Sequence, residues 1–157
     1  MRSFDQKNRM RISIIYIAFA LCQFPFSVHA QQTDTLSEIP AIEECLMDYI
    51  DGTANGWPDS VRAAFHPDFY LYYVNAQDSL VARDGEAYIN NIKPGEKVNR
   101  IGRIISIDYT GNAAIAKAEI LVPGWRLFTD YFLLMKYQGS WKIVQKSYTW
   151  VDVPKQE

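Results

Sequence analysis

The stretch FTDYFLLMKYQGSWKIVQKSYTW, residues 128–150, decides the fold, because it holds two aromatic and aliphatic runs separated by one turn. Gln138 and Gly139 lie between the two runs. A two-residue turn at this point predicts an antiparallel hairpin in which Tyr137 faces Ser140. The hairpin lies near the carboxyl end of the chain and would belong to a larger sheet.

Side chains alternate along each strand, so this register divides the hairpin into two faces. On one face, four residues of the first strand meet four of the second: Phe128, Asp130, Phe132 and Leu134 lie opposite Thr149, Ser147, Gln145 and Ile143. Both faces are too apolar to be left to water, so we expect helices to cover one and a second copy of the chain to cover the other. A bulge or a one-residue slip would exchange the faces of a strand.

Strand-like runs also precede the hairpin. The four runs in this half of the chain are 98–109, 112–122, 125–137 and 141–152. They are joined by short turn sequences, which makes sequential neighbours antiparallel. Ala114, Ala116 and Ala118 alternate along the second run, and side chains this small would let a helix lie close to the sheet.

The first half of the chain predicts three helices and one strand. Pro40 opens the first helix, whose buried stripe is Ile42, Cys45, Leu46, Tyr49 and Ile50. The remaining elements are a helix from Trp57-Pro58 to His66, a strand Phe69–Val74, and a helix capped by Asp84 that ends at Lys93-Pro94-Gly95. Helices followed by long antiparallel strands are typical of an α+β fold with about three helices gathered on one face of the sheet.

Residues 1–30 have the order of a secretory signal peptide: a basic start, an apolar run and a small-residue cleavage site at Val28 and Ala30. We expect export to the periplasm or the medium, with no membrane attachment after cleavage. An anchor through Cys22 is the alternative, although Leu21 is large for the position before a lipidated Cys. Residues 31–39 predict a flexible leader, and residues 40–153 predict a single domain.

Removal of residues 1–30 leaves 12 of the 16 basic and 17 of the 18 acidic side chains, and so a net charge of −5. A charge of this sign argues against a nucleic-acid partner. Cys45 and His66 are then the only residues of their types. A lone thiol cannot close an intramolecular disulfide, and one His without a Cys pair predicts no metal site.

Three segments resemble one family of small bacterial proteins. They are YIDGTANGWPDSVRAAFHPDF at 49–69, DYTGNAAIAKAEI at 108–120 and FTDYFLLMKYQGSWKIVQK at 128–146. Together they resemble the putative lumazine-binding family, within the nuclear-transport-factor-2-like superfamily. The resemblance implies a curved antiparallel sheet wrapped around its helices, forming a cone with a pocket inside. It implies no established reaction and no catalytic residues.

In that superfamily the Trp corresponding to Trp141 points to the helices, which implies that Asp130 looks into the cone with Ser147 beside it. A carboxylate between two Phe side chains must accept hydrogen bonds, for example from Ser147 and Tyr49, or hold a proton. The alternative is a purely structural acid bonded to neighbouring hydroxyls. The candidate ligand-binding residues are Tyr49, His66, Trp125, Asp130, Phe132 and Ser147.

The sequence contains no nucleophile motif, glycine-rich phosphate loop or paired metal-ligand set. It therefore predicts an exported small-molecule-binding protein with an apolar pocket, without a cofactor or metal, and dimeric through its sheet. A small acid-base enzyme of the isomerase or dehydratase type is the alternative, in which Asp130, Tyr49 and His66 would act together. A third possibility is an interaction module that uses the outer face of the sheet.

Overall fold

The computed structural model describes residues 38–155, so the predicted signal peptide and most of the predicted leader lie outside the described residues. Three helices and six strands follow one another along this part of the chain. The helices are α1 Ile39–Asn55, α2 Pro58–Ala64 and α3 Gly85–Ile89. The strands are β1 Phe65–Val74, β2 Leu80–Asp84, β3 Ile101–Thr110, β4 Ala113–Val122, β5 Arg126–Tyr137 and β6 Ser140–Asp152.

The six strands form one sheet in the order β2-β1-β6-β5-β4-β3. The α+β class with three helices is thereby confirmed. One detail differs from the prediction, since β1 pairs with β6 in parallel and the sheet is mixed. The short turns correctly predicted which sequential strands pair in antiparallel fashion. The β1–β6 pairing joins distant parts of the chain, so no turn specifies its direction.

Helix α1 supplies the helical side of the core. The predicted stripe is confirmed, since Ile42, Cys45, Leu46, Tyr49 and Ile50 are all buried. Burial raises the pKa of Cys45 to about 12, so the thiol stays protonated. None of the helices among residues 38–155 is long and apolar enough to cross a membrane.

The elements after α1 depart from the prediction at several boundaries and by one added strand. Helix α3 ends at Ile89 rather than at Lys93-Pro94-Gly95, because the backbone N–H groups of Asn91 and Ile92 bond three residues back and form turns. Strand β1 begins at Phe65 rather than at Phe69. Helix α2 ends at Ala64 rather than at His66, because the chain is already extended at Phe65, where β1 begins. Strand β2 was not predicted from sequence. It follows the turn after Val74 and pairs with β1, and the predicted Asp84 cap is confirmed, since that side chain accepts a hydrogen bond from the backbone N–H of Ala87 at 2.7 Å.

The β5–β6 hairpin begins as predicted and then changes register. Tyr137 does face Ser140. The pairing slips after Leu134 and Ile143, because Val144 is an extra residue without a partner in β5. Beyond this bulge Asp130 lies opposite Tyr148 instead of Ser147. The predicted face of β5 is therefore confirmed, whereas the predicted face of β6 is wrong from residue 145 onward.

The start of α1 is tied to the tip of this hairpin through Glu38. Its carboxylate accepts hydrogen bonds from Lys136 Nζ at 2.6 Å and from Trp141 Nε1 at 2.8 Å. These two hydrogen bonds, of which the one from Lys136 has the larger effect, hold the pKa of Glu38 below its ordinary value of 4.5. Both donors favour the charged carboxylate over the protonated acid.

The lowered pKa of Glu38 predicts a pH-dependent contribution to stability. An acid whose folded pKa is depressed stabilises the fold above its unfolded pKa and loses that effect as the pH falls through the folded value. We expect Glu38→Gln to lower the free energy of unfolding at neutral pH and the difference from wild type to shrink below pH 4.5. Urea denaturation across this range measures it, with Glu43→Gln on the exposed side of α1 as the control. A difference that stays constant with pH would contradict the assignment.

Candidate functional site

A cavity of about 360 Å³ opens between the inner face of the sheet and the segment that carries α3. Six aromatic side chains contribute to its wall: Tyr73, Tyr88, Trp125, Phe128, Tyr148 and Trp150. Five charged side chains share that wall: Arg83, Arg100, Arg126, Asp130 and Lys146. The predicted pocket is present, and its wall carries more charge than the sequence predicted.

Three buried polar side chains meet at the base of the cavity. Tyr49, Asp130 and Lys146 have exposed fractions of 0%, 1% and 4%. The Tyr49 hydroxyl donates to Asp130 Oδ2 at 2.7 Å, and Lys146 Nζ donates to the same oxygen at 2.9 Å and to the Tyr49 oxygen at 2.8 Å. The three groups form a closed triangle, which we call the Tyr-Asp-Lys cluster.

Protonation and packing hold this cluster in one arrangement. Burial, which has the larger effect, and the negative charge of Asp130 both raise the pKa of Tyr49 well above its ordinary value. The phenol therefore stays protonated and remains a hydrogen-bond donor. The Lys146 ammonium lies 4.6 Å from the ring centre of Tyr148 and 4.9 Å from that of Tyr49, at cation–π distances. Across the part of the chain that the structure describes, Asp130 Oδ1 finds no hydrogen-bond partner. One carboxylate oxygen is thus fully engaged and the other is free for a donor.

Lys146 is the residue of this cluster that sequence reasoning missed. The predicted register placed it on the outer face, but the bulge at Val144 turns it inward and turns Ser147 outward. A signal for this exists in the sequence. The apolar positions of β6 are odd-numbered at Trp141 and Ile143 and then even-numbered at Tyr148 and Trp150, which is the change of parity that a bulge produces.

Five of the six predicted site residues fall into three groups. Asp130 and Trp125 line the cavity, and Trp125 packs edge-on against Phe128 with ring centres 5.5 Å apart. Tyr49 and Phe132 lie in the core behind Asp130, with their ring centres 5.5 Å apart. Ser147 is exposed on the opposite face of β6, so its predicted place beside Asp130 is wrong.

His66 lies away from the cavity. Its ring packs against that of Tyr137 at the tip of the hairpin, with centres 5.3 Å apart, and its Nδ1 accepts a hydrogen bond from the backbone N–H of Asp68 at 3.2 Å. The cavity is lined instead by the other end of β1, at Leu71 and Tyr73. The structure therefore brings Asp130 and Tyr49 together and leaves His66 outside.

The sequence also matches the model of a known protein family. The model described as putative lumazine-binding matches residues 37–149, which is most of the chain. The chain belongs to the putative lumazine-binding family. No functionally curated protein matches it significantly.

Solved structures similar to this family member share its fold. A nuclear-transport-factor-2-like protein of unknown function from Shewanella baltica is 27% identical, with a TM-score of 0.66 over 74% of this chain and 95% of that one. A second such protein, from Methylobacillus flagellatus, is 28% identical, with a TM-score of 0.62 over 73% of this chain and 92% of that one. A ketosteroid isomerase-like protein from Erwinia carotovora atroseptica is 15% identical, with a TM-score of 0.57 over 73% of this chain and 97% of that one. The superfamily that the sequence resembles is thereby confirmed.

In the part of this family member that the structure describes, we find no cluster of side chains suited to bind a metal ion. No group of three His, Cys, Asp or Glu side chains within residues 38–155 lies close enough together to hold a metal ion. The side chains at the cavity supply aromatic rings, guanidinium groups and the Tyr-Asp-Lys cluster. Such groups stack, donate and accept hydrogen bonds, and pair with charge.

Proposed function

We propose that the protein binds a small planar molecule in the cavity and does not change it chemically. The observation that carries this proposal is the wall of six aromatic side chains above the Tyr-Asp-Lys cluster. A volume of about 360 Å³ lies at the small end of the range for small-molecule sites, roughly 300–1,000 Å³. The site suits a ligand of one or two fused rings.

The cluster supports binding because its groups are already engaged with one another. Asp130 Oδ2 receives two hydrogen bonds, and Tyr49 and Lys146 both point at it. A group held in this way keeps its position when a ligand arrives, so little ordering entropy is lost. The free oxygen, Oδ1, can accept an N–H or O–H from a ring system, which would fix the ligand's orientation.

Filling the cavity tests this proposal. Val122 lines the cavity, whereas Leu121, its neighbour on β4, belongs to the opposite face of the sheet. We expect Val122→Phe to weaken the binding of lumazine and related planar heterocycles by about tenfold or more, because the added ring occupies their volume. Leu121→Phe adds the same ring outside and should leave the affinity unchanged. Isothermal titration of both variants measures it, and equal affinities for the two would contradict the proposal.

The free oxygen of Asp130 also favours a second candidate, a proton-transfer enzyme of the isomerase or dehydratase type. Asp130 would act as the base through Oδ1, with the protonated Tyr49 hydroxyl nearby. The fold is shared with the ketosteroid isomerase-like protein. This candidate predicts exchange of solvent deuterium into a ligand that binds the cavity, and loss of that exchange in Asp130→Asn. Wild-type protein that binds the ligand without any exchange would eliminate it.

We further propose that the protein works outside the cytoplasm after loss of residues 1–30. The support is the basic, apolar and small-residue order of that segment. Intact mass measurement of protein from a periplasmic or culture fraction should show a chain that begins at Gln31. A full-length chain retained in the cytoplasm, or a lipid on Cys22, would contradict this proposal.

A homodimer through the sheet is the final part of the proposal. Apolar side chains are exposed on the outer face of the sheet: Ile115, Tyr131, Leu133 and Val151. Their exposure in the single chain is what a symmetric contact between two sheets would remove. Light scattering should give the mass of two chains for wild type and of one chain for Leu133→Glu. A wild-type monomer would contradict the proposal.

A further inference from the structure

The cavity wall has an imbalance of charge that its aromatic side chains do not explain. Four of its charged side chains are cationic and one is acidic. The whole chain, in contrast, has a net charge of −2. Positive groups are thus concentrated at this cavity in an otherwise acidic protein, which favours negatively charged ligands.

Two of the four cations have carboxylate partners. Lys146 is paired with Asp130 at 2.9 Å. Arg126 lies 3.3 Å from the exposed carboxylate of Asp152 and within 4.7 Å of the ring centre of Trp125. Among the described residues, Asp130 is the one acid that lines the cavity, and nearby Glu96 is paired with Lys93 at 3.1 Å. A surplus of two positive charges therefore remains.

Arg83 and Arg100 carry that surplus. Neither forms an ion pair within the described part of the chain, and Arg100 Nε is buried there without a hydrogen-bond partner. Both arginines, together with Tyr88, line this cavity and also a neighbouring one of about 230 Å³, so they lie in the wall between the two. The Arg83 guanidinium lies 5.2 Å from the ring centre of Tyr88. A buried guanidinium N–H without an acceptor is costly unless a ligand supplies one.

We infer that the ligand is a planar aromatic carboxylate, with its ring among the aromatic side chains of the cavity and its carboxylate on Arg83 and Arg100. This inference rests on the proposed binding function and names the chemical class of the ligand. Guanidinium groups match a carboxylate in shape and bind it through paired N–H donors. The ring stacks against Trp125, Phe128 and Tyr148, while the free Asp130 oxygen is an acceptor for a ring hydroxyl or N–H.

An isosteric pair of ligands tests the charge directly. Naphthoate and naphthamide share one ring system and differ in the charge of one substituent; benzoate and benzamide provide a smaller pair. We expect the wild-type protein to bind the acid of at least one pair about tenfold or more tightly than its amide, since a hydrogen bond to a charged group contributes at least that much. The preference should fall at high ionic strength, because salt screens the attraction.

Matched variants test which arginine binds the carboxylate of the ligand. Arg100→Gln should weaken binding of the acid by about tenfold and change binding of the amide by less than about threefold. Arg103→Gln is the control on β3, because Arg103 is paired with Glu119 at 2.6 Å and does not line the cavity. Arg83→Gln is the second variant if Arg100→Gln does not fold, and the ionic-strength dependence of the wild type requires no variant.

The outcomes separate this inference from the proposed function. An acid preference that Arg100→Gln or Arg83→Gln removes supports the inference. Equal or tighter binding of the amide overturns the inference while the binding function stands. An acid preference that survives both arginine variants overturns the assignment to these residues. If neither acids nor amides of either size bind while lumazine or a related planar heterocycle does, the inference fails and the binding function stands. If none of these planar molecules binds, both fail.

Discussion

Replacing Lys146 by Met is expected to lower the free energy of unfolding by about 3–5 kcal/mol, the cost of breaking a buried ion pair. The substitution leaves the Asp130 carboxylate without its cationic partner at a site with an exposed fraction of 1%. Tyr49 would remain as the only donor to Asp130 among the hydrogen bonds of the described residues. One hydroxyl cannot replace the ammonium, because the carboxylate is removed from water.

Urea denaturation measures this effect, and two variants serve as controls. The double variant Asp130→Leu with Lys146→Met removes both charges, so it should recover most of the lost stability. Lys117→Met changes a lysine on the outer face of β4 and should stay within about 0.5 kcal/mol of wild type. A Lys146→Met protein as stable as wild type would show that Asp130 and Lys146 are not a buried pair.

The second large effect is expected at the contact between the sheet and α1. A Cβ added at Gly102 would lie 2.4 Å from Ile50 Cγ2 and 2.9 Å from Ile120 Cδ1, and both of these residues are buried. Gly102→Val should therefore cost about 1–3 kcal/mol or more, because the core must shift to admit it. Ser106→Val, at an exposed position of the same strand, is the matched control and should change little. Equal stabilities of the two variants, measured by urea denaturation, would contradict the close packing of α1 on β3.

The elements set by local pattern were predictable from the sequence. The stripe of α1 follows the helical period, and Gln138-Gly139 fixes the turn of the β5–β6 hairpin. The small residues Ala114, Ala116 and Ala118 are buried, in agreement with the expected close approach of a helix. Each of these features depends on residues near one another in the chain, which is where sequence patterns are informative.

The face of β6 could not be derived from the turn alone. A β-bulge has no required residue type, and Val144 is as suitable for a regular strand as for an extra, unpaired position. The bulge places buried Trp141 and half-buried Tyr148, an odd number of residues apart, on the same side of one strand. One inserted residue therefore changed the partner of Asp130 from a predicted Ser hydroxyl to a Lys ammonium.

The arginines of the cavity were missed for another reason. Arg83 lies on β2, which was not predicted, and Arg100 lies immediately before β3. In the sequence each is an isolated charged residue of the kind that is usually exposed. Only the assembled sheet and the segment around α3 bring them to one wall, so their shared role follows from tertiary structure.

The central claim is that the cavity above the Tyr-Asp-Lys cluster holds a planar molecule, and a crystal structure of the protein grown with naphthoate tests it most directly. The predicted result is ring density between Trp125 and Tyr148, with Lys146 Nζ still within hydrogen-bond distance of Asp130. Density only at the outer surface, or a cavity filled by the protein's own side chains with Asp130 turned to solvent, would contradict the claim.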